Sequence, residues 1–304
     1  MNEKSSHDGA TSAGAPRPLV SVVIPHYNSL AALTDCVSLL DRQTFRRDRF
    51  EIIVADNNSR CGIDAVRGAA PAAKIVAANE QGAGPARNAG VAASKGSILA
   101  FIDSDCRPHF DWIEKGVAAI QAYDVIGGRV IVTSEDPLRP TPIEAFEMVF
   151  TFDNERYVNR VGFTATGNMF VWRNVFDAVG PFRNGVAEDM DWGFRACART
   201  YRLGYVEDVI VEHPARQTWS ELMARWKRMT LEEYLLYRER PFFMAGWLLH
   251  ASLMPLSVLP HACRILTSSR LMNSRSRWGG LKVLARLRLW RTFEMLSLLV
   301  RNSP

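Results

Sequence analysis

The sequence predicts an α/β fold, a mainly parallel sheet flanked by helices, followed by a helical C-terminal extension. Three observations predict it. The apolar segments LVSVVIP (Leu19–Pro25) and FEIIVAD (Phe50–Asp56) are continuous rather than alternating, as strands buried on both faces are. Stretches with helical spacing separate them, the β-α-β order of a sheet covered on both sides. The chain of 304 residues, 47% hydrophobic and 23% charged, has ordinary globular composition and room for a large α/β domain plus an extension.

The elements follow in order. Leu19–Pro25 is a strand stopped by proline, and Leu30–Asp41 has helical spacing through Leu33, Val37 and Leu40. Phe50–Asp56 is the second strand and Lys74–Ala77 a short third. Ala86–Lys95 reads as helix, Ser97–Asp103 as strand, Trp112–Ala122 as helix and Val125–Thr133 as strand. Pro137–Pro142 is a proline-rich break. Beyond it come a strand at Thr164–Val171, a helix from about Glu188 to Leu203 and a last strand at Tyr205–Val211. The organisation expected is a disordered leader over residues 1–18, which lack an apolar run and any signal peptide, a catalytic domain over 19–219 and a helical extension over 220–304.

The extension is where the charge of +5 collects: nine Lys and Arg residues from Arg264 to Arg301 face the lone acid Glu294. That asymmetry suggests an anionic surface as partner. Phe242–Cys263 carries no Asp, Glu, Lys or Arg and is long enough to span a membrane, but Pro255 and Pro260 interrupt it, so a re-entrant or interfacial segment competes with a span. In Leu281–Val300 leucines and arginines mix without one clean basic face. Apolar and basic residues together favour an anionic membrane surface over nucleic acid, since no stacking pattern is interleaved with the charge. A helical cap on the catalytic domain is the competing structural reading. The five cysteines are scattered, with no C-x-x-C, and read as free thiols of a reducing compartment.

Polar residues gather where strands end. The first strand ends in PHYN, the second in ADNNS, and the loop after the third reads NEQGAGPARNAG. FIDSD ends the fourth, with Asp103 and Asp105 on either side of a serine. In open α/β sheets ligands bind at the carboxyl ends of strands. Alternate strand residues point the same way, so the two aspartates can converge on one ion, although D-S-D is also a turn sequence. A nucleotide across these ends would meet Asp56, the glycines Gly82 and Gly84, and Arg87. Its diphosphate needs neutralising charge, and hard divalent cations prefer carboxylate oxygens.

VSVVIPHYN, ADNNS, GAGPARNAG, FIDSD, ATGNMFVWR and AEDMDWGFR, in this order and spacing, resemble the family 2 glycosyltransferases over roughly Leu19 to Trp219. The resemblance implies a GT-A (Rossmann-like) fold, a nucleotide-sugar donor, a divalent Mg or Mn ion and inversion at the anomeric carbon. Carried across by position, it implies that Pro25, Tyr27 and Asp56 hold the nucleobase with Arg87 beside them. Asp103 would face the ribose or the metal, and Asp105 would bind the metal. Gly167 and Asn168 would lie on the acceptor side, their competing reading a simple buried strand. Asp189 would be the base that takes the acceptor hydroxyl's proton, with Glu188 orienting acceptor or base. His213 is a candidate third metal ligand, its competing reading a structural histidine. Asp191 fits a helix start, where acids favour the amino-terminal dipole. The processive members' Q-x-x-R-W motif has leucine at its first position here, Leu222 to Trp226, which points to single additions.

The expectation is therefore transfer of one sugar, from a UDP-sugar by default, to a saccharide or lipid-linked acceptor in cell-surface polysaccharide synthesis, at the cytoplasmic face of the membrane. A catalytically silent binding scaffold on the same fold is the alternative. A dinucleotide-binding oxidoreductase fails, because Gly82-Ala83-Gly84 comes too late in the chain and Arg87 stands at the last glycine's place.

Overall fold

The structure is a computed structural model and describes residues 18–301. All but the last residue of the expected leader lies outside the described residues. The chain begins β1 (Val20–His26), α1 (Leu30–Asp41), β2 (Phe50–Asp56), α2 (Ile63–Ala69), β3 (Lys74–Ala77), α3 (Ala83–Ala92) and β4 (Ile98–Phe101). It continues through β5 (Arg107–Pro108), α4 (Trp112–Ala119), β6 (Val125–Thr133), α5 (Pro142–Phe150), α6 (Asn154–Arg156), β7 (Met169–Trp172) and α7 (Arg173–Val179). Then come α8 (Glu188–Ala198), β8 (Leu203–Pro214), α9 (Trp219–Tyr237), α10 (Phe243–Leu253), α11 (Val258–Leu266) and α12 (Ser274–Arg301).

One mixed sheet holds the eight strands in the order β3-β2-β1-β4-β7-β6-β8-β5. The first four pair in parallel, whereas β7 runs antiparallel to both β4 and β6. Alternate residues serve opposite faces. Val20, Val22 and Ile24 of β1 pack with Leu33, Val37 and Leu40 of α1 and with Trp112 of α4. Val23 of β1 and Leu99 and Phe101 of β4 pack on the other face, with Phe176 of α7 and Trp192 of α8. This two-sided burial is why the strands read as unbroken apolar runs.

Several boundaries differ from the sequence expectation, each for a local reason. Helix α3 starts three residues earlier, at Ala83, and carries Pro85 in its first turn, where a missing N–H breaks no helical bond. Strand β4 stops at Phe101, and the two aspartates sit in a turn closed by the Cys106 N–H to the Asp103 carbonyl at 3.0 Å. The turn, not strand alternation, places them together at the carboxyl ends of the strands. The expected strand at Thr164–Val171 is a 3-10 turn at Thr166–Asn168 followed by β7. Helix α8 ends at Ala198 rather than near Leu203, where Thr200 takes a left-handed φ of 65°.

The proline-rich break hides a helix start. Pro142 is the first residue of α5, and Thr141 and Glu144 form a reciprocal capping box. This short helix is the platform for the extension: Ala145, Phe146 and Val149 pack with Val283, Leu284 and Leu287 of α12. The uncharged stretch Phe242–Cys263 forms most of α10 and α11, bent by 51° at the break containing Pro255. No single described helix is long and apolar enough to cross a membrane, though this bent pair passes on length and composition together.

Candidate active site

The carboxyl ends of the first strands open into a cleft of about 630 Å³. Pro25, Tyr27, Arg87, Asp103, Asp105, Gly167, Glu188, Asp189 and His213 all line it, so nine of the predicted positions meet in one place. Residues far apart in sequence converge because the sheet aligns the ends of β1 and β4 while α8 begins opposite them.

Arg87 is the link between the two acidic motifs. Its guanidinium is buried, and its terminal nitrogens donate to Asp103 Oδ1 and Glu188 Oε1, each at 2.7 Å. The expectation of a cation beside the nucleobase is thereby refined: Arg87 holds the D-S-D turn and the start of α8 in register. Burial works against its charge, but the two carboxylates outweigh it and raise its pKa. Gly167 faces the same turn. A Cβ there would stand 3.0 Å from Asp103 Oδ2, tight enough to press on the carboxylate.

Asp189, in the first turn of α8, has its carboxyl pushed up to about 7. Burial is the main cause and the neighbouring Glu188 charge the next, opposed by the Met190 N–H and by Arg87. A carboxylate ionising near neutrality suits proton abstraction. Asp191, by contrast, is tied to Arg183 at 3.1 Å and Arg195 at 2.9 Å, a structural position as expected.

The ligand atoms of Asp103, Asp105 and Cys106 lie within 4.8 Å of one another. Burial raises the Cys106 thiol well above its usual range, so it stays protonated and is no ligand for a hard cation. Asp105 is held down at about 2: burial disfavours its charge, but the hydrogen bond and charge of His213, with Arg216 beyond, prevail. Its Oδ2 lies 3.4 Å from His213 Nε2, and His213 Nδ1 is buried without a partner. Two carboxylates beside an imidazole are a donor set that fits a divalent cation.

Two predicted residues stand apart. Asn168 is a correction: it is wholly buried and its amide is fully committed. Its nitrogen donates to the Arg129 and Val209 carbonyls at 2.9 Å each, and its oxygen accepts from Trp112 Nε1 at 2.9 Å. It pins β7 against β6 and β8 and does not line the cleft. Asp56 does not line the cleft; its Oδ2 accepts from the Ser59 N–H at 3.2 Å, while Oδ1 is buried without a partner. Beside it in the ladder is His26, buried, with both ring nitrogens unpartnered and its pKa lowered, chiefly by burial.

Sequence reasoning missed the contribution of α9. Arg225, Arg228 and Glu232 line the cleft, as does Arg216 just before the helix. Arg216 and Arg225 share the single buried carboxylate of Glu147, at 3.2 and 3.3 Å, leaving a surplus positive charge at the cleft. The one available signal was the R-W of the degenerate Q-x-x-R-W motif, whose leucine, Leu222, is buried in the helical core. Glu232 has its carboxyl raised to about 7 by burial, with Arg228 opposing and Glu188 and Asp189 reinforcing.

A mixed, mostly parallel curled sheet with acids at its strand ends and a helical C-terminal region defines a GT-A glycosyltransferase. The comparisons agree. Residues 21–180 match Glycosyl transferase family 2. "Glycosyltransferase AglE" of Haloferax volcanii is 33% identical over 247 residues, 76% of this chain and 80% of that one. "Validoxylamine A glucosyltransferase" of Streptomyces hygroscopicus subsp. jinggangensis is 32% identical over 48% of this chain and 36% of its own length. Among solved structures, mannosyltransferase PcManGT from Pyrobaculum calidifontis, in complex with GDP-Man and Mn2+, superposes with a TM-score of 0.60. That match covers 94% of this chain and 87% of the other at 18% identity, a likeness of fold. The chain belongs to glycosyl transferase family 2 and is a glycosyltransferase.

Proposed function

We propose that the enzyme moves one sugar from a nucleotide sugar, a UDP-sugar in the first instance, to a saccharide or lipid-linked saccharide acceptor in cell-surface polysaccharide synthesis, with inversion and with Mg or Mn bound. The observation that carries this reading is Asp189, a carboxyl raised to about 7 and joined through Glu188 and Arg87 to the D-S-D turn. Asp105, Asp103 and His213 would hold the cation, which when bound neutralises the diphosphate. Pro25 and Tyr27 would flank the nucleobase, with Asp56 and His26 as buried polar groups near it. Arg216 and Arg225 would meet the phosphates. Asp189 takes the proton of the acceptor hydroxyl as it attacks, and Glu188 keeps Asp189 and Arg87 aligned.

Residues 19–219 would form the catalytic unit and 220–304 the extension, with α9 serving both. Leu222 in place of glutamine supports single additions. The exposed apolar side chains of α10 and α11 support a location on a membrane surface, and the Lys and Arg residues from Arg264 to Arg301 favour an anionic one, which would be its cytoplasmic face.

The test is calorimetric titration of UDP and GDP with and without Mn²⁺, on wild type and on Asp105→Ala. Metal-dependent UDP binding that weakens about 100-fold in the variant is the expected result. GDP binding in place of UDP would replace the donor nucleotide. Absence of binding by either nucleotide under every metal condition would favour the silent scaffold.

A further inference from the structure

The C-terminal helices enclose a second cavity of about 620 Å³, walled by Phe146, Phe150, Trp226, Phe243 and Trp247. Five arginines line it, Arg156, Arg240, Arg264, Arg288 and Arg291, against two carboxylates, Asp153 and Glu233. Asp153 pairs with Arg264 at 2.7 Å and Glu233 with Arg291. Among the described residues this leaves Arg156, Arg240 and Arg288 with no carboxylate partner. Arg240 lies over the ring of Tyr237. Arg288 is the exceptional one: its Nη1 reaches only the Met254 sulfur, at 3.3 Å, and its Nε has no partner. Burial and the nearby Arg291 charge depress its pKa to about 10. A half-buried guanidinium without a counter-ion is costly, and a forked oxyanion is the group it fits.

The position of the cavity matters as much as its lining. Tyr157, Met190, Met229 and Glu233 line both cavities, and Met190 directly follows Asp189. Phe242, on the rim, is 91% exposed, and Leu249, Leu256 and Leu259 of the adjoining helical segment are also exposed. The cavity thus joins the transferase cleft to an apolar surface, with uncompensated positive charge between them.

We propose that this cavity seats the carrier end of the acceptor, the phosphate or diphosphate that joins its saccharide to an apolar chain, with the oxyanion on Arg288 and the chain along the aromatic wall. The inference rests on the transferase reading and names its acceptor class. A bare anion would leave that wall wet.

The experiment follows the tryptophan fluorescence of the full chain, since Trp226 and Trp247 line the wall, during titration with farnesyl phosphate, farnesol or inorganic phosphate. Farnesyl phosphate is expected to bind saturably, and the other two about tenfold more weakly or less. Arg288→Met should weaken farnesyl phosphate about tenfold. Gly246→Leu is the second variant: Gly246 lines the cavity and a Cβ there meets nothing within 4 Å, so the substitution adds apolar bulk at the cavity and removes no charge. It should weaken farnesyl phosphate equally with unchanged far-ultraviolet dichroism. Equal binding of farnesol or of inorganic phosphate, or no effect of Arg288→Met, would overturn the proposal. A chain that binds nucleotide but no farnesyl phosphate loses this proposal alone. One that binds farnesyl phosphate but no nucleotide keeps the amphiphile site and loses the donor reading.

Discussion

The two cavities are nearly equal in volume, about 630 and 620 Å³, and share four wall residues, yet their chemistry is opposite. The first has six carboxylates against four arginines and lies at strand ends. The second has five arginines against two carboxylates and is built from helices. Size therefore says little about either. The donor set does: acids that can hold a cation and take a proton on one side, unpaired guanidinium and aromatic rings on the other. Met190 and Tyr157 stand where the two chemistries meet, which is where a transferred sugar would pass from donor to acceptor.

The strongest way to break this division of labour is at the base. Asp189→Asn should lower turnover about 1,000-fold while nucleotide binding by calorimetry stays near wild type. Turnover close to wild type would move the base elsewhere, with Glu232 the next carboxylate to test.

The pH profile sharpens the same point. A base must be ionised, so turnover should rise with pH through about 7 and level off above it. Stability should move the other way. Unfolded, an aspartate ionises at about 3.9, so between there and about 7 the unfolded chain loses its proton first. The fold's preference for the neutral carboxyl, fully expressed below the unfolded value, is lost across that window. Urea unfolding of the ligand-free chain should show Asp189→Asn stabilised relative to wild type, and more strongly at pH 8 than at pH 5.

A third change tests the frame rather than the site. Asn168→Leu strands the Trp112 indole N–H and two carbonyls inside the sheet, and should cost about 3 kcal/mol in urea unfolding. A stable variant with impaired sugar binding would restore Asn168 to the site.

The smallest effect separates the cavities directly. Arg225→Met should raise the KM for donor about tenfold and leave farnesyl phosphate binding unchanged, because Arg225 lines only the first cavity. Equal weakening of both ligands would merge the two sites into one.

Much of the site was legible because strand ends carry it. PHYN and FIDSD end apolar runs whose type is plain, and with GAGPARNAG and AEDMDWGFR they supply seven of the nine predicted residues that meet in the cleft. Asn168 misled because an amide among small residues looks the same whether it faces a sugar or three internal hydrogen-bonding groups. Arg216 and Arg225 were missed because a helix outside the β-α-β alternation gives no sign of which strand ends it leans over. Helix α5 was lost in a proline cluster, although its capping box, Thr141 with Glu144, is a local signal.

By itself the sequence determined the α/β alternation, the two-faced burial of the strands and the acids at their ends, because these depend on side-chain periodicity and chain order. Only the tertiary structure decided that Arg87 joins Asp103 to Glu188, that α9 closes the cleft and that Arg288 lacks a counter-ion. Those are pairings between residues 16 to 101 positions apart, or their absence, and desolvation sets them. Burial depends on what packs above a residue, and no local pattern carries that information.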